Sequence, residues 1–113
     1  MHELSIMMNI VDIAEEQVHK ASASSVDRIE IEIGQLAGVE MDAFDFAWEI
    51  AIDKTVLQHA EKVIHRIEGK ARCTECETEF QMSELFDPCP NCGSYFSNLL
   101  AGKELRVKSL VVS

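Results

Sequence analysis

Positive charge is scarce in this chain. Ten Lys and Arg stand against twenty Asp and Glu in 113 residues, a formal net charge of −10. Binding a nucleic-acid backbone needs clustered cations, so a nucleic-acid partner is not expected, whereas metal cations and basic protein surfaces suit such a chain. The opening residues, Met1-His2-Glu3-Leu4-Ser5, contain no basic segment leading into an apolar one. No apolar run approaches membrane-spanning length. Export and membrane insertion are therefore not expected, and a cytoplasmic location is. Aromatics are few as well. Five Phe and one Trp cannot fill a core, so branched aliphatics must supply most of it. Internal repeats and low-complexity tracts are absent. So are a phosphate-binding glycine loop and a Ser/His/Asp set that spacing would pick out, which leaves no visible apparatus for an enzyme.

What is present suffices for an ordinary fold. At this length folding buries roughly two-thirds of the unfolded chain's surface, and 47% of the residues are hydrophobic. One compact domain, or a small domain carrying a smaller module, is expected. From about Glu3 to Ala21, Leu4, Met7, Met8, Val11, Ala14 and Val18 recur at helical spacing. Val26 to Ile33 alternates, with Ile29, Ile31 and Ile33 on one face and Arg28, Glu30 and Glu32 on the other. That predicts a half-buried strand ended by Gly34. Asp42 is placed to cap a second helix running to about Asp53 and burying Phe44, Ala47, Trp48 and Ala51. A weaker strand pattern covers Lys62 to Glu68. Glu104 to Val112 alternates again, with Leu105, Val107, Ser109 and Val111 on one face.

The last strand is too poor in apolar residues to fold alone and should pair with the earlier strands. The cysteine-bearing stretch is then an insertion. The expected fold is α+β: a small three-stranded sheet with two helices on one face, plus an inserted zinc-ribbon-like module. Residues 1–70 with 102–113 form the main domain in this reading, and 71–101 form the module.

Cys73-Thr74-Glu75-Cys76 and Cys89-Pro90-Asn91-Cys92 are two Cys-x-x-Cys pairs separated by twelve residues. Two intervening residues let each pair make a tight turn that aims both sulfurs at one ion, and two such turns complete a tetrahedron. In a reducing compartment this pairing favours a metal over two disulfides or four buried thiols. Zinc is the default ion and iron in a rubredoxin-like centre its competitor, since tetrahedral sulfur suits both. Four protein ligands leave no open position, which points to structure rather than catalysis. Pro90 sets the entry to the second turn, and Gly93 can take a positive φ there. Glu77 holds the corresponding place in the first turn, where glycine would be easier.

His2 offers a second metal chemistry. The terminal amine of Met1, the amide and imidazole nitrogens of His2 and the amide of Glu3 can form adjacent chelate rings. A plane of nitrogen donors suits Ni(II) or Cu(II), whereas zinc prefers a tetrahedron. A histidine at position 2 of an arbitrary protein is more often simply solvated, and spacing alone does not decide. His19, His59 and His65 have no partner at ligand spacing and read as exposed or packed residues.

Taken together, Met1-His2-Glu3-Leu4-Ser5, Ile31-Glu32-Ile33-Gly34, the two cysteine pairs with Pro90, Asn91 and Gly93, and Leu105-Arg106-Val107-Lys108-Ser109-Leu110 form a joint pattern. It resembles the HypA/HybF family of hydrogenase maturation nickel chaperones over essentially the whole chain, in order and with matching spacing. The resemblance implies a nickel-binding α/β domain bearing a zinc module. It implies nickel on His2 with the backbone of Met1 and Glu3, and structural zinc on Cys73, Cys76, Cys89 and Cys92. It further implies delivery of Ni(II) to the large subunit of nickel–iron hydrogenase alongside a nickel-dependent accessory GTPase, with urease served by some members, and it leaves room for a weak homodimer. The rival readings are a nucleic-acid-binding zinc ribbon, which the charge opposes, and a rubredoxin-like electron carrier, which metal content would separate.

Overall fold

A computed structural model describes residues 3–113. The elements run α1 (Glu3–Lys20), β1 (Val26–Gly34), α2 (Met41–Ala51), β2 (Glu61–Ile67), β3 (Lys70–Cys73), β4 (Glu79–Gln81), β5 (Ser97–Ala101) and β6 (Leu105–Val112). They form two three-stranded sheets, ordered β2-β1-β6 and β4-β3-β5. The last strand therefore does return to the first, and the chain between β2 and β6 builds its own small sheet. Two compact units result: Met1–Ile31 with Val39–Ile64 and Val107–Ser113, and Glu32–Gly38 with His65–Arg106. The second contains all of 71–101 and also takes in 32–38, 65–70 and 102–106.

In the first unit α1 buries Ile6, Met7, Ile10, Ala14 and Val18. Leu4 and Met8, expected inside, are exposed. The first two turns carry five large apolar residues, Leu4, Ile6, Met7, Met8 and Ile10, more than one stripe needs, and packing selects Ile6, Met7 and Ile10. Helix α2 starts with Glu40 as its cap, not Asp42. The Glu40 carboxylate accepts the N–H groups of Asp42 (3.2 Å) and Ala43 (2.8 Å), two donors that the first helical turn leaves unpaired. The helix buries Phe44, Ala47 and Trp48 as expected, leaves Ala51 half-buried, and ends there, before Asp53. Phe44 and Trp48 stack with centroids 6.4 Å apart. Lys62 lies over both rings, 5.7 and 5.3 Å from their centroids, while its ammonium pairs with Asp45 at 2.8 Å.

Strand β1 keeps the predicted alternation: Ile29, Ile31 and Ile33 are fully buried. On its carboxylate face Glu30 accepts from the Ser109 hydroxyl and Glu32 pairs with Arg106. Strand β6 does not keep a single inward face through Leu105, Val107, Ser109 and Val111. Ser109 joins the carboxylate face of β1, Val111 is exposed, and Leu110 and Val112 are half-buried. The period of two slips by one residue after Val107, as one extra residue in a ladder makes it do.

The second unit has a core of Leu36, Ala71, Cys73, Phe80, Met82 and Cys89, with Cys76 and Leu99 packed against it. Strand β3 is central, antiparallel to β4 and β5. The chain enters and leaves this sheet where backbones nearly touch. The Gly34 amide donates to the Glu104 carbonyl and the Leu36 amide to the Gly102 carbonyl, both at 2.7 Å. A Cβ on Gly34 would sit 2.0 Å from the Gly102 oxygen, so only glycine fits there.

Candidate metal centre

Cys73 ends β3 and Cys76 follows in a tight turn; Cys89 and Cys92 bracket a second turn of the same build. In the first, the Glu77 amide donates to the Cys73 carbonyl (3.0 Å) and the Cys73 amide to the Thr78 carbonyl (2.9 Å). In the second, Gly93 donates to Cys89 (2.8 Å) and Cys89 to Ser94 (2.8 Å). Residue by residue the two turns match. Each also aims a backbone N–H at its first sulfur: Glu75 to Cys73 and Asn91 to Cys89, both 3.4 Å. Such donors stabilise negative charge on sulfur, which is the form a metal takes.

All four Sγ atoms lie within 4.8 Å of one another. Cys73 and Cys92 are 3.5 Å apart, and Cys76 and Cys89 are 3.6 Å apart. A regular tetrahedron of zinc–sulfur bonds of about 2.3 Å has edges of about 3.8 Å, so the four sulfurs fit one Zn(II) closely. Disulfides, with sulfurs about 2.05 Å apart, are not present among these cysteines. Cys73 and Cys89 are buried and Cys92 faces outward.

The thiols are electrostatically unequal. The side-chain amide of Asn91, then the hydroxyl and backbone of Thr78, draw the Cys76 thiol down to about 6. The Ser94 backbone pulls Cys92 down, but the neighbouring Cys73 sulfur and burial outweigh it and push that thiol up to about 12. One thiolate forms readily, and a further negative charge in so small a volume calls for a cation. Asn91 and Thr78 are contributors that sequence reasoning missed. Asn91 was visible as the residue inside the second pair and Thr78 as the second residue after Cys76, but neither spacing says which sulfur it reaches.

Met1 and His2, on which the nickel expectation falls, lie outside the described residues. Glu3 opens α1 and is half-buried. Among the described residues the four cysteines are the only group of three or more His, Cys, Asp or Glu donors gathered at ligating distance. His19 and His59 are exposed and join no such group.

Residues 1–112 match the family model described as HypA, hydrogenase/urease nickel incorporation, metallochaperone. A hydrogenase maturation factor HypA from Parabacteroides distasonis is 51% identical over 112 residues, covering 99% of this chain and 97% of that one. The HypA of Geobacter metallireducens is 43% identical, covering 99% of each. In three dimensions the chain resembles the solution structure of the nickel metallochaperone HypA from Helicobacter pylori, with a TM-score of 0.71 and 25% identity over 99% of this chain and 97% of that one. With the family pattern spanning both ends of the sequence and a fold that brings the four sulfurs together, the chain belongs to the HypA family of nickel-incorporation metallochaperones.

Proposed function

We propose that this chain is a cytoplasmic nickel metallochaperone for hydrogenase maturation, carrying Ni(II) at its extreme N-terminus and zinc in the four-cysteine centre. The observation that carries the reading is the span of the family match. It begins at residue 1, so Met1-His2-Glu3 falls within the sequence shared with nickel-incorporation proteins. Nickel is cargo here. The terminal amine, the amides of His2 and Glu3 and the His2 imidazole offer it a plane of nitrogen donors at a chain end. Ligands at a chain end can be displaced one at a time by an acceptor, which reconciles selection with release.

Zinc on Cys73, Cys76, Cys89 and Cys92 supplies charge neutralisation and a covalent tie between two turns. The chain's own residues do the rest: the amides of Glu75 and Asn91 orient two sulfurs, and Asn91 and Thr78 hold a third. With four protein ligands the centre offers no position for substrate, and the protein acts by carrying rather than by catalysis. In this division of labour 71–101 is the zinc module and 1–70 with 102–113 the nickel-handling domain. The partners are the hydrogenase large subunit and a nickel-dependent accessory GTPase, met by an acidic surface; a weak homodimer is compatible with the same surface. Urease is a further client by the same chemistry.

The test is a nickel titration of the untagged, zinc-loaded protein beside His2→Ala and beside a protein extended before Met1. Both changes should abolish specific binding while zinc content and fold persist. One equivalent of Ni(II) bound by folded His2→Ala with unchanged affinity would place the nickel ligands elsewhere. Hydrogenase activity in cells supplied only with His2→Ala should fall with the binding.

A further inference from the structure

The second unit carries a groove of about 710 Å³ with an apolar wall of Leu85, Phe86, Tyr95 and Phe96. Phe86 is 79% exposed, Phe96 71% and Tyr95 66%. Apolar residues scattered singly on a surface need no explanation, but four lining one concavity on so acidic a chain do. Phe86 also has a φ of +69°, a conformation that a bulky side chain enters only when its surroundings impose it. Here the imposition is visible. The Asp87 carboxylate accepts the N–H groups of Ser83 (3.0 Å) and Glu84 (3.1 Å), and the Asp87 amide donates to the Glu84 carbonyl (3.2 Å). The turn so closed holds an aromatic ring out in water.

Beside that wall runs an open sheet edge. β5 pairs with β3 and, among the described residues, with no other strand. The Thr74 amide donates to the Phe96 carbonyl (2.9 Å), and Arg72 lies opposite Asn98. Antiparallel ladders bond at every second residue, so Ser97 and Leu99 turn their N–H and C=O groups away from β3. Both residues line the groove. The Ser97 hydroxyl is buried and, among the described residues, has no hydrogen-bond partner. Lys103 lines the same groove, exposed and without a carboxylate partner among the described residues.

We infer that this groove docks an extended segment of a partner protein. The segment adds as a fourth strand along β5, sets alternate apolar side chains against Phe86, Tyr95 and Phe96, and places a carboxylate against Lys103. Main-chain bonds to Ser97 and Leu99 supply affinity, and the period of two in the incoming strand supplies selectivity. An open edge beside exposed aromatics is otherwise a hazard that proteins blunt.

The probe is a labelled synthetic decapeptide that alternates Val or Phe with Ser or Thr and carries one Glu near its N-terminal end, so that an antiparallel strand brings the Glu to Lys103. It is titrated into the full-length, zinc-loaded protein, with backbone amide exchange followed residue by residue. Saturable binding with protection of the Ser97 and Leu99 amides is expected. Phe86→Ser and Phe96→Ser, checked for zinc content and thermal unfolding, should each weaken binding about tenfold or more, the effect of removing a buried aromatic anchor. Lys103→Glu should weaken it less and be rescued by a peptide with Lys in place of Glu, a charge swap that needs no apolar variant to fold. Absent saturation, binding indifferent to both Phe substitutions, or failure of the charge swap overturns the proposal. Protection of Ser97 and Leu99 without peptide, in a protein that sediments as a dimer, also overturns it and assigns the edge to a second copy of the chain.

Discussion

Glu77 and Gly93 hold equivalent places in the two cysteine turns, with φ of +63° and +78°. Each donates its amide to the carbonyl of the first cysteine, so the turn geometry requires the left-handed conformation whichever residue supplies it. For a residue with a Cβ that conformation costs about 1–2 kcal/mol. Part of this cost is offset because glycine loses more freedom on folding. Glu77→Gly should therefore stabilise the zinc-loaded second unit by about 0.5–1 kcal/mol. A Cβ on Gly93 would meet nothing within 4 Å. Gly93→Ala should accordingly cost about 1 kcal/mol from the backbone alone. Denaturant unfolding at fixed zinc checks both, and a Gly93→Ala loss far above this figure would mean the turn is tighter than its geometry shows. The glycine-like demand on position 77 was readable from the repeated Cys-x-x-Cys spacing. That Glu77 adopts the strained conformation, rather than the turn relaxing around it, was not.

Among the elements, α2 depends on a residue outside it. Glu40 satisfies two amides of the first turn, and Glu40→Ala should cost about 1 kcal/mol of the first unit's stability. Asp42→Ala, at the position the sequence favoured as the cap, should cost less. Urea midpoints of the two variants compare directly, and the reverse order would restore Asp42 as the effective cap. Asp was the better statistical choice; Glu40 caps because the helix starts at Met41, which puts Asp42 inside the first turn and leaves the cap position to Glu40. The second unit should depend on metal in the same local way. Its core is small and includes Cys73 and Cys89, with Cys76 packed against it. Cys92→Ser should remove zinc and open 71–101 to proteolysis, because binding and local folding are coupled. Retained stoichiometric zinc with an unchanged cleavage pattern would contradict a four-sulfur site. Strands β3, β4 and β5 escaped sequence reading as separate elements, since runs of three to five residues carry too little periodicity to register.

At the scale of the whole molecule, nickel loading should follow pH through groups at the chain end. At the proposed Met1-His2 site, binding would displace protons from an imidazole with a reference pKa of about 6.5 and an amine of about 7.7–8.0. Protonation competes with nickel, so affinity should fall steeply as pH drops from about 7.5 to about 5.5. An affinity flat across that range would indicate carboxylate ligands and exclude the amine and imidazole as the principal donors. What the sequence determined unaided was whatever depends on neighbours along the chain. The ligating power of two Cys-x-x-Cys turns, the helical and alternating periods and the buried isoleucine face of β1 are all local chemistry. Tertiary structure alone decided what depends on distant neighbours. It chose Ile6 and Ile10 over Leu4 and Met8 as the inward stripe of α1, shifted the phase of β6, brought Asn91 to the Cys76 sulfur, and left the β5 edge open beside exposed aromatics. In each of these the sequence permits two arrangements of similar local energy, and only the packing of residues far apart in the chain separates them.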